Sequence, residues 1–396
     1  MIFKSSKADI IRACDEALAR LTERHLKPIA NSRGRVVYIS DKYPGVWLEH
    51  AYDGLVWAAL SGQSEAAAAQ VRLFLDNARP DGQLPCFVWS DRVGFGQIQE
   101  CVSFARLCLE ASELCGDDEL LRDSYSACRK WDEWLCAHRM TTRQGLIETF
   151  CGFDTGHDNS SRLSGMLYRG NIGDEAANTP DGCPVAPLIM PDMNAVFYGD
   201  RLALAEMAEK LSLFDEAALW RKKAENVKRL TFEKCFDEDE LFFFDVDKFG
   251  RKRRVHSIGI TALFCEKMLD KPLAQAIFER WFKSPEHFGT PYPYPSIAAS
   301  DPAMDRGAAG NCWGYFSQGL TMLRSLRWCD HYGFSDELER NMRVWLDAWA
   351  LSPLRFGQEL DPFTGQASNS SEWYSSTMLF YLTAAERLGF YKKINI

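Results

Sequence analysis

Two polar runs, far apart in the chain, hold residue types suited to acid–base chemistry. The first, Asp154-Thr155-Gly156-His157-Asp158-Asn159-Ser160-Ser161-Arg162, gathers carboxylates, an imidazole, hydroxyls and a guanidinium around a glycine. The second is Gln358-Glu359-Leu360-Asp361-Pro362-Phe363-Thr364-Gly365. Asp158 and Glu359 are the pair of interest. Breaking a glycosidic bond needs one carboxylic acid to protonate the departing oxygen. It needs a second carboxylate to take a proton from water or to attack carbon. Each acid also has a plainer reading. Asp158 lies in a turn-forming Asp-Asn-Ser-Ser string, and Glu359 suits a solvated loop. Asp361 is read as the initiator of the Asp-Pro-Phe-Thr-Gly turn. His157 is read as a hydrogen-bonding group more than a catalyst, and Arg162 as a fixed cation.

The elements that must hold these runs are helices. Apolar periodicity predicts twelve, near 6–26, 48–62, 64–78, 97–115, 117–137, 192–211, 213–233, 256–268, 270–282, 313–332, 335–350 and 371–388. Short joints at 61–65, 115–119, 211–216, 268–272 and 332–337 link ten of them into five hairpins. A turn residue follows each apolar helix end. Ser or Asp then stands where an N-cap is needed, with an acid in the next first turn; Pro272 near a helix start is a variant. Long joints rich in Gly, Pro and aromatics (27–47, 79–96, 138–191, 234–255, 283–312 and 351–370) alternate with the short ones. Residues 241–247 read as a short strand inside one of them. Tight turns on one rim and long loops on the other, with the first and last helices pairing, describe an all-α fold, the (α/α)6 barrel, as a single domain over 1–396. An open solenoid is the alternative. All the candidate chemistry falls in the long loops, where function usually sits.

Composition narrows the partners. A net charge of −9 without a basic block disfavours nucleic acid. Arg251-Lys252-Arg253-Arg254 is read as a turn cap. No apolar run reaches the roughly 18 residues of a membrane span, and the N-terminus reads as an amphipathic helix, not a leader. Thirteen cysteines with no CxxC pair are read as buried free thiols of a reducing cytoplasm, with no structural zinc. No metal or cofactor is expected, and nothing sets an oligomeric state. Aromatic residues make up 13% of the chain, and rings in long loops would suit the C–H faces of a carbohydrate.

The first run resembles the (Glu/Asp)-(Ser/Thr)-Gly-x-Asp-x-Ser-x-Arg signature of the clan G glycosidases, which include trehalases and glycoside hydrolase family 63. The second is similar to that family's Glu-Asn-Tyr-(Asp/Asn)-Pro-x-Thr-Gly. Pro191-Asp192-Met193-Asn194, Tyr294-Pro295-Ser296-Ile297, Asn311-Cys312-Trp313-Gly314 and Ser371-Glu372-Trp373-Tyr374-Ser375 resemble further family elements, in the family's order. The branch most resembled is that of the mannosylglycerate/glucosylglycerate hydrolases. The resemblance implies an inverting hydrolase of α-glucosides or α-mannosides on an (α/α)6 barrel. It makes Asp158 the general acid, with a raised pKa, and Glu359 the general base, the two about 6.5–9.5 Å apart. There are departures. The family's Trp-x-Trp-Asp meets Tyr43-Pro44-Gly45-Val46-Trp47-Leu48-Glu49-His50, so that Glu49 or His50 replaces the Asp. His157 stands where trehalases carry Trp. Both changes bear on which sugar fits. The β-sandwich of larger members has no counterpart, so a bare catalytic barrel is expected.

The residues expected around the sugar are Tyr43, Trp47, Glu49, His50, Gln83, Trp89, Gln99, His157, Arg162, Asp192, Asn194, Trp313, Gln318 and Trp373. Arg162 is offered to a carboxylate aglycone. Trp57, Trp131, Trp134, Trp220, Trp328, Trp345 and Trp349 fall in helical patterns and are expected in the core. Two other readings stand beside hydrolysis. A sugar epimerase or isomerase would move protons through histidines such as His50, His157 or His256. A non-catalytic carbohydrate-binding protein would need neither acid.

Overall fold

The computed structural model describes residues 4–167, 170, 175–177 and 182–392. Parts of the expected 138–191 loop and both ends of the expected 1–396 unit lie outside the described residues. The helices are α1 (Lys7–Arg20), α2 (Ala51–Ser61), α3 (Ser64–Leu75), α4 (Phe104–Cys115), α5 (Asp118–His138), α6 (Pro191–Lys210) and α7 (Phe214–Cys235). They continue with α8 (Thr261–Cys265), α9 (Lys271–Ile277), α10 (Gly319–Ser325), α11 (Cys329–Tyr332), α12 (Ser335–Leu351) and α13 (Ser375–Arg387). Every predicted segment contains a helix, and the one over 313–332 is divided into α10 and α11 by a turn at 326–328.

The inner ring is α2, α4, α6, α8, α10 and α13. Each packs on the next, and α13 returns to α2, so the ring closes and the open solenoid is excluded. α1 packs on α12 and α13, which is the expected pairing of first and last helices. Burial separates the two layers. α6 is buried at every position from 191 to 201, as a helix enclosed on all sides must be. Its outer partner α7 buries only a stripe at helical spacing: Ala217, Trp220, Ala224, Val227, Thr231 and Cys235. The seven helical tryptophans all lie in the core. All thirteen cysteines are unpaired.

Because each inner helix follows a long loop, all six present their N-termini to the long-loop mouth. Five of them start later than periodicity predicts: α2 at 51 instead of 48, α4 at 104 instead of 97, α8 at 261 instead of 256, α10 at 319 instead of 313, and α13 at 375 instead of 371. Most of the missing residues are buried off any α-helix, and that burial imitates a helical stripe. Ser103 caps α4 through the Arg106 N–H at 3.1 Å. Ser317–Gln318 forms a short strand against Glu359–Leu360 instead. The turns also differ in detail. Asp117 and Asp270 cap their helices through the Leu120 and Leu273 amides at 2.8 and 2.9 Å. Ser64, Asp215 and Ser335 instead lie inside the first turn, after Gln63, Leu213 and Phe334. A left-handed residue stands just before each of these cap positions (Gly62, Ser212 and Gly333), as Gly116 does before Asp117. The predicted strand within 241–247 forms as Phe242–Phe243 and Asp245–Val246, the latter between Lys252–Arg253 and Leu188–Ile189.

Gly333 adopts φ 84° and a β-carbon there would meet nothing within 4 Å. Gly333→Ala therefore tests backbone strain alone, and chemical denaturation should read a loss of about 1 kcal/mol.

Candidate active site

At the long-loop mouth the acid run is fixed from below by a buried ion pair. The Arg139 guanidinium donates to both Asp154 oxygens at 2.6 and 3.1 Å, and both side chains are fully buried. Asp154 also accepts from the backbone amides of Ile98, Phe150 and Cys151. Arg139 reaches the Ala176 and Glu148 carbonyls. Just beyond, Gly156 has φ 67°, and a β-carbon there would stand 2.1 Å from a Glu49 carboxylate oxygen. Glycine is required at that position because the Glu49 carboxylate passes over it.

A cavity of about 220 Å³ opens here, lined by Tyr43, Trp47, Glu49, His50, Gln97, Gln99, Phe153, Asp158, Asn311, Gln358 and Tyr374, among others. Six of the sequence-predicted residues are therefore brought together: Tyr43, Trp47, Glu49, His50, Gln99 and Asp158. Trp47 lies on a short strand paired with Phe87–Trp89. Glu49 has one buried oxygen without a hydrogen-bond partner among the described residues. His50 is held by Asp53 at 3.2 Å and by the Tyr374 hydroxyl at 2.8 Å. Burial opposes charge on His50, but the carboxylates of Asp53 and Glu49 outweigh it and raise its pKa. The Tyr43 hydroxyl is pushed up to about 12, first by burial and then by the charges of Asp158, Glu49 and Glu359. Three acids thus surround one phenol.

Glu359 does not border the cavity. It is fully buried one layer behind, and its carboxylate accepts four hydrogen bonds. One oxygen takes the Asn311 N–H at 2.5 Å and the Ser368 hydroxyl at 2.6 Å. The other takes the Cys312 N–H at 3.2 Å and the Gln318 amide at 2.6 Å. Burial raises its pKa, against the pull of those four donors. Asn311 links the two acids, because its side-chain amide donates to Asp158 at 3.2 Å. The wall position belongs to Gln358, one residue earlier, in the bend just before the Glu359–Leu360 strand. Gln358 donates to the Asn311 side chain at 3.0 Å, and its own oxygen has no hydrogen-bond partner among the described residues. Matched position by position, the Glu of Glu-Asn-Tyr-(Asp/Asn)-Pro-x-Thr-Gly falls on Gln358. The expectation places the base on the neighbouring Glu359.

Residues 46–377 match the model of the mannosylglycerate hydrolase MGH1-like glycoside hydrolase domain. The chain belongs to this family of glycoside hydrolases. No curated protein matches its sequence. Among solved structures it is similar to the GH63 mannosylglycerate hydrolase from Thermus thermophilus in complex with Tris. There the TM-score is 0.73 at 19% identity, over 93% of this chain and 99% of that one. It is also similar to the neutral trehalase Nth1 from Saccharomyces cerevisiae, with a TM-score of 0.66 at 14% identity over 88% of this chain and 73% of that one. At these identities the likeness speaks for the (α/α)6 barrel.

The other sequence-predicted residues of this hydrolase lie off the cavity wall. Arg162 donates to Asp192 at 2.6 and 2.8 Å and to Asp245 at 2.5 and 2.7 Å. Four charge-assisted bonds leave neither Arg162 nor Asp192 for a substrate, which corrects the aglycone role. Asn194 bonds the Ile147 and Met190 backbone. Gln83 bridges Arg79 and the Phe95 carbonyl. Trp89 meets Trp47 edge-on at 5.8 Å. Trp373 packs on Phe356 below Arg20. Trp313 stacks on His157 at 4.2 Å. His157 itself is buried below the floor, where burial first and then Arg162 and Arg324 press its pKa down to about 3, against the Asp192 charge. Gln318 acts at one remove, by holding Glu359. Sequence reasoning missed Gln97, Phe153, Asn311, Gln358 and Tyr374 as wall residues. Asn311, Gln358 and Tyr374 lay inside the quoted motifs, which was the available signal.

A larger cavity, about 690 Å³, lies at the opposite mouth and contains neither acid, so size does not identify the site. Among the described residues no group of His, Cys, Asp and Glu is arranged to hold a metal ion. Nor is any helix long and apolar enough to cross a membrane. Arg162→Ala would leave Asp192 and Asp245 buried and unpaired. Denaturation should show a loss of about 3–5 kcal/mol, whereas a substrate-binding arginine would chiefly raise KM.

Proposed function

We propose that this hydrolase works as one barrel domain and cleaves a small α-glucoside or α-mannoside with inversion. Asp158 gives a proton to the departing oxygen, and Glu359 takes one from the attacking water. Trp47, Glu49, His50, Tyr43 and Gln99 hold the sugar. The observation that carries the pairing is Asn311, which donates to both acids at once. It spans the gap where substrate and water would stand. Bound sugar and water must take over those two hydrogen bonds before Glu359 can act, since a general base works within hydrogen-bond reach of its proton. The similar Thermus thermophilus enzyme, named a mannosylglycerate hydrolase, supports a small soluble glycoside as substrate. Arg162, being spent on Asp192 and Asp245, supports no carboxylate contact.

Epimerisation through His157 is disfavoured because a buried, neutral, stacked imidazole below the floor cannot reach a sugar carbon. One second reading follows from Gln358. An amide cannot accept a proton as a base does, so with Gln358 on the wall the chain would bind its glycoside and hydrolyse it slowly. Three variants separate the readings in a screen of α-glucosides and α-mannosides. With Glu359 as base, Asp158→Asn and Glu359→Gln each lower kcat by about 10²–10⁴-fold, and Gln358→Glu gives no gain. A higher kcat in Gln358→Glu, with Glu359→Gln unchanged, would assign the base position to residue 358 and refute the role of Glu359.

The pH profile gives a further test. The base works ionised, so activity falls as pH drops through its pKa. Burial puts that limb above the 4.5 of an ordinary glutamate. Ser368→Ala removes a hydroxyl that pulls the pKa down, and the acid limb of kcat/KM should move to still higher pH.

A further inference from the structure

The cavity at the opposite mouth is lined from all six inner-helix segments, mostly toward their C-terminal ends, with Tyr52 and Arg106 reaching it from the first turns of α2 and α4. A helix carries roughly half a negative charge at its C-terminus, so the ring gathers its negative ends here and its positive ends at the active-site mouth. Two arginines already answer part of this field. Arg106 pairs with Glu206 at 2.5 and 2.7 Å, and Arg327 pairs with Glu110 at 3.0 and 2.9 Å. Each cation is thereby matched by its own carboxylate.

Glu266, immediately after α8, has no such partner. Its side chain is only 6% exposed and lines the cavity. One oxygen accepts the Ser103 N–H at 3.0 Å. The other makes no hydrogen bond to a described residue and rests over Gly199, where a β-carbon would come within 2.1 Å of it. The absent side chain at Gly199, in the middle of α6, makes room for the carboxylate. Burial holds the Glu266 carboxyl up at about 7, with Arg327 and Arg106 pulling it down and Asp200 pushing it up. Tyr198 and Cys265 face the same group. Leu55, Val56 and Leu202 give the cavity apolar wall.

We propose that this second cavity binds a small organic cation, a primary ammonium seated on Glu266 with its hydrocarbon part against Leu55, Val56 and Leu202. The Glu266 carboxylate oxygen left without a hydrogen bond to a described residue and the apolar wall select that chemistry, and neither serves the active site. Neutral alcohols of the same length lack the charge, and anions meet the wrong field.

Isothermal titration of the whole chain with n-butylammonium chloride, and with 1-pentanol as the neutral control, tests the assignment. One-to-one binding of the ammonium is expected, tighter at pH 8 than at pH 6 because Glu266 must ionise. Glu266→Gln should weaken it at least about tenfold, the worth of a hydrogen bond to a charged group. Leu202→Lys supplies the site with its own ammonium and should also abolish the binding, so the test survives if Glu266→Gln does not fold. Absence of ammonium binding, equal binding of 1-pentanol, or unchanged affinity in either folded variant would overturn the proposal. The last result would place any bound ammonium elsewhere, including among the acids of the active site.

Discussion

The ion pair between Arg139 and Asp154 is the interaction on which the candidate site depends. Both side chains are wholly buried, so neither charge is tolerable without the other. Their remaining hydrogen-bonding capacity is spent on backbone from three places: Ile98 on the approach to α4, Glu148, Phe150 and Cys151 after α5, and Ala176. Gln97 and Gln99 therefore hang from the same anchor as Gly156 and Asp158. One side of the cavity cannot move against the other without disturbing a charge in the core. Catalytic groups need placement of that quality, since displacements near 1 Å cost orders of magnitude in rate.

The closed ring adds a second constraint, one of field. Because every inner helix enters from a long loop, all six positive ends meet the mouth where Glu49, Asp158 and Glu359 are collected. Carboxylates are favoured at helix N-termini, which offsets part of the cost of bringing three so close together. At the far mouth Arg327 stands just past the end of α10, and Arg106 reaches the same cavity from the first turn of α4.

The ring was legible in the sequence because alternating short and long joints leave few ways to pack twelve amphipathic helices. The cavity was legible in part, since Tyr43, Trp47, Glu49, His50 and Gln99 are polar or aromatic residues just ahead of inner helices and Asp158 lies in the long loop before α6. Arg162, Asp192, Asn194 and Gln83 look the same in sequence, yet spend their hydrogen bonds inside the protein. Residue type reports a capacity to bond and not the partner that uses it. Glu359 and Gln358 illustrate a finer limit. Neighbouring residues of one loop can face different ways, so the more reactive side chain can be the hidden one. Asn311 was quoted within a motif, but its contact with both acids depends on three loops that only the closed ring brings together.

The most direct test of acid–base hydrolysis across this cavity is proton NMR of the sugar first released from a cleaved α-glucoside or α-mannoside. Attack by water opposite the departing oxygen requires the β-anomer to appear first, with the α-anomer following only by slow mutarotation. First release of the α-anomer would mean retention, and would contradict the roles assigned to Asp158 and Glu359.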